Sequence, residues 1–455
     1  MNSRTSGLRP AVLVATALAL CVAFAAGFVV AKKQVFPHDL VVALAHSLRP
    51  AAEADRAEPA AEPPPREHAG WFERLPEGSA GASDTGPGGE DEAELLRTLD
   101  AVGYLNSYGE AGEDSGVTLY LPELAQAGLN LVLSAHEAAA ILCDMEGRVL
   151  HEWRYPFQRL VPEEQRFGSD FWRRVHLLPD GSLLAVWDRL GMVKLDRDSN
   201  LEWSLLGDFH HDLDVTADGT IWVLTREERM LERFSDELTT VEDFITRVSP
   251  DGRILGSISL LTAFEDSPYD SFLEKARAGG DIFHTNTLEV FEGDLAHHSP
   301  LFAAGKALIS LRDLDVIAIV DLESQRIVWA SAGMWHGQHE PVVLDNGNML
   351  LFDNMGHRGR SKVIEFQPFT QEVVWSFEGD EQNDFSSKLC GSNQRLPNGN
   401  TLITESLRGR AFEVTPEGEI VWRWASPYRV GEDGIAVLME VIRLPEGTPL
   451  DWLER

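Results

Sequence analysis

From Gly116 onward the apolar and polar positions of this chain repeat one phrase. An apolar strand runs into an Asp-Gly or Asn-Gly pair, and a second apolar strand follows, as in VHLLPDGSLLAVWD, LDVTADGTIWVLT, PVVLDNGNMLLFDN and QRLPNGNTLITE. Both central residues of such a tight turn take positive φ, so Asn-Gly or Asp-Gly between apolar runs is the strongest short-range hairpin signal. A second hairpin follows in most copies, with a Trp near its end in several: DMEGRVLHEW, LDRDSNLEW, VSPDGRILG, VDLESQRIVW and VTPEGEIVWRW. Two hairpins make four antiparallel strands, which is one propeller blade. The repeat of roughly 35 to 50 residues fits that unit.

The copies fall at 117–157, 172–207, 209–260, 284–333, 338–379 and 391–427, the first of them incomplete. The tail at 435–445 (IAVLMEVIRLP) reads as a strand that completes the first copy, closes the ring and removes an exposed sheet edge. The expected fold is therefore an all-β, six-bladed β-propeller over 116–455. Two stretches interrupt the pattern: a charged insertion at 226–244, and 266–281, which reads as a short helix.

The N-terminal part follows other rules. Residues 11–31 carry no charge and as a helix would span about 30 Å, the hydrocarbon thickness of a bilayer. Arg4, Arg9 and the small-residue site Ala23-Phe24-Ala25 also suit a cleaved secretory signal. The apolar run continues to Ala31, long for a signal, so an uncleaved transmembrane helix at 11–31 is expected after a short tail at 1–10. Residues 32–115 read as a linker, largely disordered, because 48–92 is rich in Ala, Glu, Pro and Gly; a short helix is expected near 92–104. Long downstream domains translocate largely regardless of flanking charge. The propeller is thus expected on the periplasmic or outer side of the inner (cytoplasmic) membrane, held by one span.

Composition narrows the partners. With 73 acidic against 39 basic residues the chain of 455 carries a formal charge of −34. That excludes nucleic acid, which needs a basic footprint, and disfavours a face lying on anionic lipid. An anionic substrate would need a local cationic pocket. Cys21, Cys143 and Cys390 show no CxxC or Cys/His spacing of a zinc site, and pairing of the latter two is left open.

Aligning the copies on the Gly of the first turn brings out candidate chemistry. His211 lies eight residues before Gly219, His339 eight before Gly347 and His284 nine before Gly293. Each stands at the start of an innermost strand, and those starts ring one mouth of the central channel. The returning strand ends at the same face, where Arg312, Arg226 and Asp353-Asn354 lie. Asn286, two residues after His284, shares its side of the strand. A single His at such a position is usually a turn or capping residue; three at one register, with Arg beside them, suggest a site. Imidazoles can hold a transition metal, or one can attack while another protonates a leaving group. An Arg within the ring favours an anion, since its fork grips two oxygens and repels a cation. His210, His297, His298, His336 and His357 read as loop residues, and Trp153, Trp203, Trp329, Trp375 and Trp424 as blade-packing aromatics.

Taken together, Gln338-His339 followed by LDNGNMLLFDN, His284-Thr285-Asn286, the ALISLR strand ending at Arg312, His210-His211-Asp212 and the RLPNGNTLITE stretch make the chain resemble the bacterial arylsulfotransferases that work without PAPS, in a membrane-anchored branch. The resemblance covers about 116–445. It implies a six-bladed propeller that moves a sulfuryl group from an aryl sulfate ester to a phenol through a sulfohistidine, with no cofactor and no metal. It further implies His339 as nucleophile, His211 and His284 as supporting imidazoles, and Arg312 and Asn286 as holders of the sulfuryl oxygens. Two features depart from the pattern: an insertion at 293–306, and Glu340, which puts a negative charge beside His339. A metal-assisted hydrolase using the same cluster, and a non-catalytic propeller binding a protein or glycan, are the competing readings.

Overall fold

The computed structural model describes residues 107–454, apart from 111, 162–170, 236, 277–278, 357–359, 380–382 and 431–433. The expected membrane helix at 11–31, most of the linker and the short helix near 92–104 lie outside the described residues. Among the described residues no helix is long and apolar enough to cross a membrane. The linker's end, Ser107–Glu110, is a strand paired with Gly434–Ala436, which in turn pairs with Arg429–Val430.

Six antiparallel sheets form the propeller, as the repeats predict. Blade I combines Leu438–Pro445 with Gly128–Ser134, Ala139–Cys143 and Val149–Arg154, so the C-terminal tail supplies its innermost strand and closes the ring. The innermost strands of blades II to VI are Arg174–Leu177, Phe209–Val215, Thr285–Phe291, His339–Val343 and Ser392–Arg395. Gly116–Tyr120, grouped by sequence with the first copy, instead pairs with the outer strand Ile420–Ala425 of blade VI as a fifth strand. An edge left open on the last blade is thus covered by chain that precedes the first.

The charged insertion at 226–244 lengthens the two middle strands of blade III to nine residues each, Ile221–Arg229 and Thr240–Val248. The helix expected within 266–281 starts earlier, as Leu260–Glu265, where the Ser259 side chain accepts the Thr262 N–H as a cap; a 3-10 turn at Asp270–Lys275 follows.

Tryptophans on outer strands join neighbouring blades. The indole N–H donates to a turn carbonyl of the next blade: Trp153 to Gly181, Trp203 to Pro250, Trp375 to Pro416 and Trp422 to Met145, at 2.9–3.0 Å. In blade VI it is Trp422, not Trp424, that makes this bond. Each indole buries a large apolar face while its one polar atom stays satisfied. A Cβ at Gly252 would sit 2.6 Å from the Trp203 ring, and Gly252 has φ +76, so this turn needs glycine for both reasons.

The innermost strands are irregular where they begin. Register slips between Phe209 and Leu213, Thr285 and Thr287, and His339 and Val342. His211, His284, Glu340 and Cys390 have φ of 47, 49, 46 and 54. Bulged strands re-aim side chains, and bulky residues seldom adopt positive φ without compensation.

Candidate active site

The irregular strand starts gather the candidate residues at one mouth of the channel. His211 and His284 pack edge to face with ring centroids 4.8 Å apart. His210 is not a loop residue: it is buried, and its Nδ1 lies 3.0 Å from Nδ1 of His211. Burial, with Arg173 and then His284 and His210 adding positive charge, pushes the His211 imidazole well below its usual value, so this ring is neutral.

His339 is held from the end of the strand paired with its own, Met349–Asp353. Its Nδ1 is 2.7 Å from Oδ1 of Asn354 and 3.2 Å from the Gly337 carbonyl. Asn354 uses its amide nitrogen on two carbonyls, Ser387 at 2.7 Å and Cys390 at 2.6 Å. Its Oδ1 must therefore accept, which assigns the proton of His339 to Nδ1 and the lone pair to Nε2. Burial, then Arg312 and Arg173, hold this imidazole well below its ordinary pKa. Gln338 anchors the strand start from the previous blade. Its amide donates to Ser310 Oγ and to the Leu311 and Val316 carbonyls, and its own carbonyl accepts from Asn286 Nδ2 at 2.8 Å. Asn286 thus turns its amide to the wall behind His339, while its Oδ1 accepts from Thr287.

His284 has a different partner. Its Nδ1 is 2.9 Å from Asp281 Oδ2, and its backbone N–H donates to Asp281 Oδ1 at 2.7 Å. Burial opposes ionisation of Asp281, but His284, Arg226 and the donated hydrogen bonds win and hold it below the usual carboxylate range. Two arginines are already paired: Arg312, just past the end of its strand, with Asp313 at 2.6 Å, and Arg226, which lies inside the lengthened strand Ile221–Arg229 and not at its expected end, with Asp208 at 2.7 Å and Asp188 at 3.2 Å.

One residue further along the innermost strands lies a buried hub. Arg174 of blade II binds Asp212 of blade III (2.8 Å), Glu440 of blade I (2.5 Å) and Glu340 of blade V. Blades IV and VI complete the layer: Thr287 Oγ1 accepts the Glu340 N–H, and Asn393 donates to the Glu340 carbonyl. Glu340 therefore spends its charge on Arg174 below the mouth. Burial of three carboxylates around one guanidinium raises Asp212 well above its usual range and lifts Glu340 as well, against the pull of Arg174.

The remaining expectations sort simply. His297 makes a local turn contact to the Asp294 carbonyl, whereas His298 and His336 reach turns distant in sequence, at the Asp345 carbonyl and the Asp315 carboxylate; His357 lies outside the described residues. Cys143 and Cys390 are buried and unpaired. The insertion at 293–306 packs Phe302 against Phe291, away from the mouth. Among the described residues no group of three or more His, Cys, Asp or Glu converges as metal ligands.

A family model described as arylsulfotransferase (ASST) matches residues 174–427. Among curated proteins none matches the chain. Solved structures with a similar shape include a protein of unknown function from Bacteroides caccae, 12% identical over 69% of this chain and 98% of that one, with a TM-score of 0.47. Virginiamycin B lyase from Staphylococcus aureus is 10% identical over 56% and 69% of the two chains, with a TM-score of 0.34. BamB from Moraxella catarrhalis is 11% identical over 69% and 78%, with a TM-score of 0.32. At these scores the likenesses say nothing about what this chain acts on.

Proposed function

The chain belongs to the arylsulfotransferase family, and on that premise we propose that it moves a sulfuryl group from an aryl sulfate ester to a phenolic acceptor through a sulfohistidine at His339. The observation that carries the reading is the fixed tautomer of His339: Nδ1–H is committed to Asn354 and Gly337, so the lone pair of Nε2 is available to attack. As the Nε2–S bond forms, the S–O(aryl) bond breaks and its electron pair leaves on the phenolate. His284, with the ionised Asp281 stabilising its imidazolium, delivers a proton to that oxygen. In the second half an acceptor phenol gives its proton back to His284, its oxygen attacks sulfur, and the N–S bond breaks to restore His339. A phenol has a pKa of about 10, so modest acid assistance suffices.

His211, buried and neutral beside His284, lines the same space as a hydrogen-bonding imidazole. Arg312 meets the sulfuryl oxygens as charge shifts between them and the leaving group. Asn286 acts through the wall, fixing Gln338 and hence His339, in place of the oxygen-binding role suggested by resemblance.

The test is a burst assay of the full-length protein with 4-nitrophenyl sulfate, with and without an added phenol. Release of nitrophenolate that accelerates with phenol, with sulfate recovered on the phenol, is the expected outcome. Release without transfer would make the protein a hydrolase, and inertness towards a panel of aryl sulfates would leave a binding propeller. We further propose that the propeller lies outside the cytoplasmic membrane, anchored by 11–31; degradation of the propeller by protease added to spheroplasts, with a cytoplasmic marker protected, is the expected outcome, and full protection would overturn it.

A further inference from the structure

We propose that Arg173 is an anion-binding residue of this mouth, the guanidinium that grips the sulfuryl oxygens of the donor ester from blade II, beside the blade that carries His211. The inference rests on the sulfotransferase reading for the identity of the anion and on geometry for its place. Arg173 lies eight residues before Gly181, the register that holds His211 before Gly219 and His339 before Gly347. Blade II thus offers a cation where blades III and V offer imidazoles. The next residue, Arg174, grips Asp212 and Glu340. Those two directly follow His211 and His339, so the backbone at 173 is tied beside both.

What surrounds the side chain distinguishes it from the other arginines. Among the described residues its side chain meets two sulfur atoms, Met439 Sδ at 3.5 Å from Nη1 and Cys390 Sγ at 3.8 Å from Nη2. Sulfur is a weak acceptor. Among the described residues no carboxylate pairs with Arg173, whereas Arg312 and Arg226 have one and two and Arg174 has three. In a chain of charge −34, a half-buried guanidinium set against sulfur is positioned for an anion from outside the protein. It also stands within reach of the nucleophile. The Cys390 carbonyl accepts from Asn354, which accepts from His339, and the charge of Arg173 helps keep both His211 and His339 neutral. A planar fork can span two sulfuryl oxygens while Nε2 of His339 approaches sulfur.

The experiment compares full-length wild type with Arg173→Ala, Arg173→Gln and Arg173→Lys, using 4-nitrophenyl sulfate as donor and inorganic sulfate as competitive inhibitor. Folding is checked by circular dichroism, and Arg173→Gln stands in should the alanine variant not fold. Loss of the guanidinium should raise KM and the inhibition constant of sulfate at least tenfold, with a smaller fall in kcat, and lysine should restore part of both. KM and sulfate inhibition within twofold of wild type in a folded Ala or Gln variant would overturn the inference and leave the sulfotransferase reading standing. If wild type turns over no aryl sulfate, that reading fails, and calorimetry with benzenesulfonate decides the inference. Binding by wild type that is lost in Arg173→Gln upholds an anion site, and equal binding, or none by wild type, removes it.

Discussion

Two layers of one channel, a residue apart along the innermost strands, treat charge in opposite ways. In the hub, Arg174 draws carboxylates from three other blades, and Thr287 and Asn393 hold the Glu340 backbone. At the mouth, His339 rests on a neutral amide, His211 on another imidazole and Arg173 on sulfur. A buried charge without a partner is expensive, so the hub completes its pairs from within. A site that must prefer a transferring anion leaves some charge for the ligand: Arg312, Arg226 and His284 have carboxylate partners, but Arg173 has none among the described residues. The two layers share backbone: His211-Asp212 and His339-Glu340 each send one side chain to the mouth and the next to the hub. The positive φ at His211 and Glu340 makes that division possible, and strain of this kind, about 1–3 kcal/mol per residue, persists only where surroundings fix it. The hub is what fixes it.

The sharpest break between the layers comes from one substitution in each. His339→Ala should lower transfer by about 10⁴-fold or more while the melting temperature stays within a few degrees of wild type; kinetics and a thermal scan on the same protein check both halves. Arg174→Ala should do the reverse first. It strands three buried carboxylates and should destabilise the fold by roughly 3–5 kcal/mol, read from urea denaturation. A loss below about 1 kcal/mol would mean that the hub does not brace the mouth.

The fold was legible because its signal is local and repeated. Each Asn-Gly or Asp-Gly turn fixes a hairpin, and the apolar tail at 435–445 had no other edge to close. What the repeats could not show is which edge takes a strand outside the pattern, hence the misplacement of Gly116–Tyr120. At the mouth, the register rule found His211, His284 and His339 and put Asn354 at the right face. Applied to blade II it also reaches Arg173, since the register fixes a position and not a residue type. Asp281 stands three residues before His284 and was readable as its partner. His210 was not readable: adjacent residues on a regular strand face opposite ways, and only the bulge between Phe209 and Leu213 turns both rings inward. The burial of Glu340 against Arg174 joins residues 166 positions apart, and no local pattern carries that.

Two substitutions refine how the mouth works. Asn354→Leu removes the acceptor that assigns the His339 tautomer and should lower kcat by about 10²-fold or more. Asn354→Asp should change the pH profile. In wild type the imidazole is held well below its usual value, and only the neutral form attacks, so kcat/KM should stay flat as pH falls through 6. A carboxylate against Nδ1 raises the pKa, so the variant should lose activity as pH drops below about 6.5. Identical acid limbs would mean that His339 is not the group whose neutrality matters. Asp281→Asn should cost about ten- to a hundredfold with phenyl sulfate and less with 4-nitrophenyl sulfate, because the better leaving group needs less proton from His284. Equal losses on the two donors would remove His284 as the acid.

The smallest effect concerns the interior beyond the hub, where charge is removed by protonation. Glu289 of blade IV accepts the Val343 N–H at 3.2 Å, and burial, with Asp214, Asp212 and Glu340 adding to it, pushes its carboxyl up to about 8. The folded value exceeds the unfolded one of about 4.3, so between them the native protein binds more protons than the unfolded chain. Stability from this group is complete at low pH and is lost as pH rises towards 8. Glu289→Gln keeps an acceptor for Val343 and fixes the neutral form. Its melting temperature should match wild type near pH 4 and exceed it by several degrees at pH 8. Parallel curves from pH 5 to 9 would show that Glu289 is ionised in the folded protein, and the interior would then carry an unmatched charge such as Arg173 carries at the mouth.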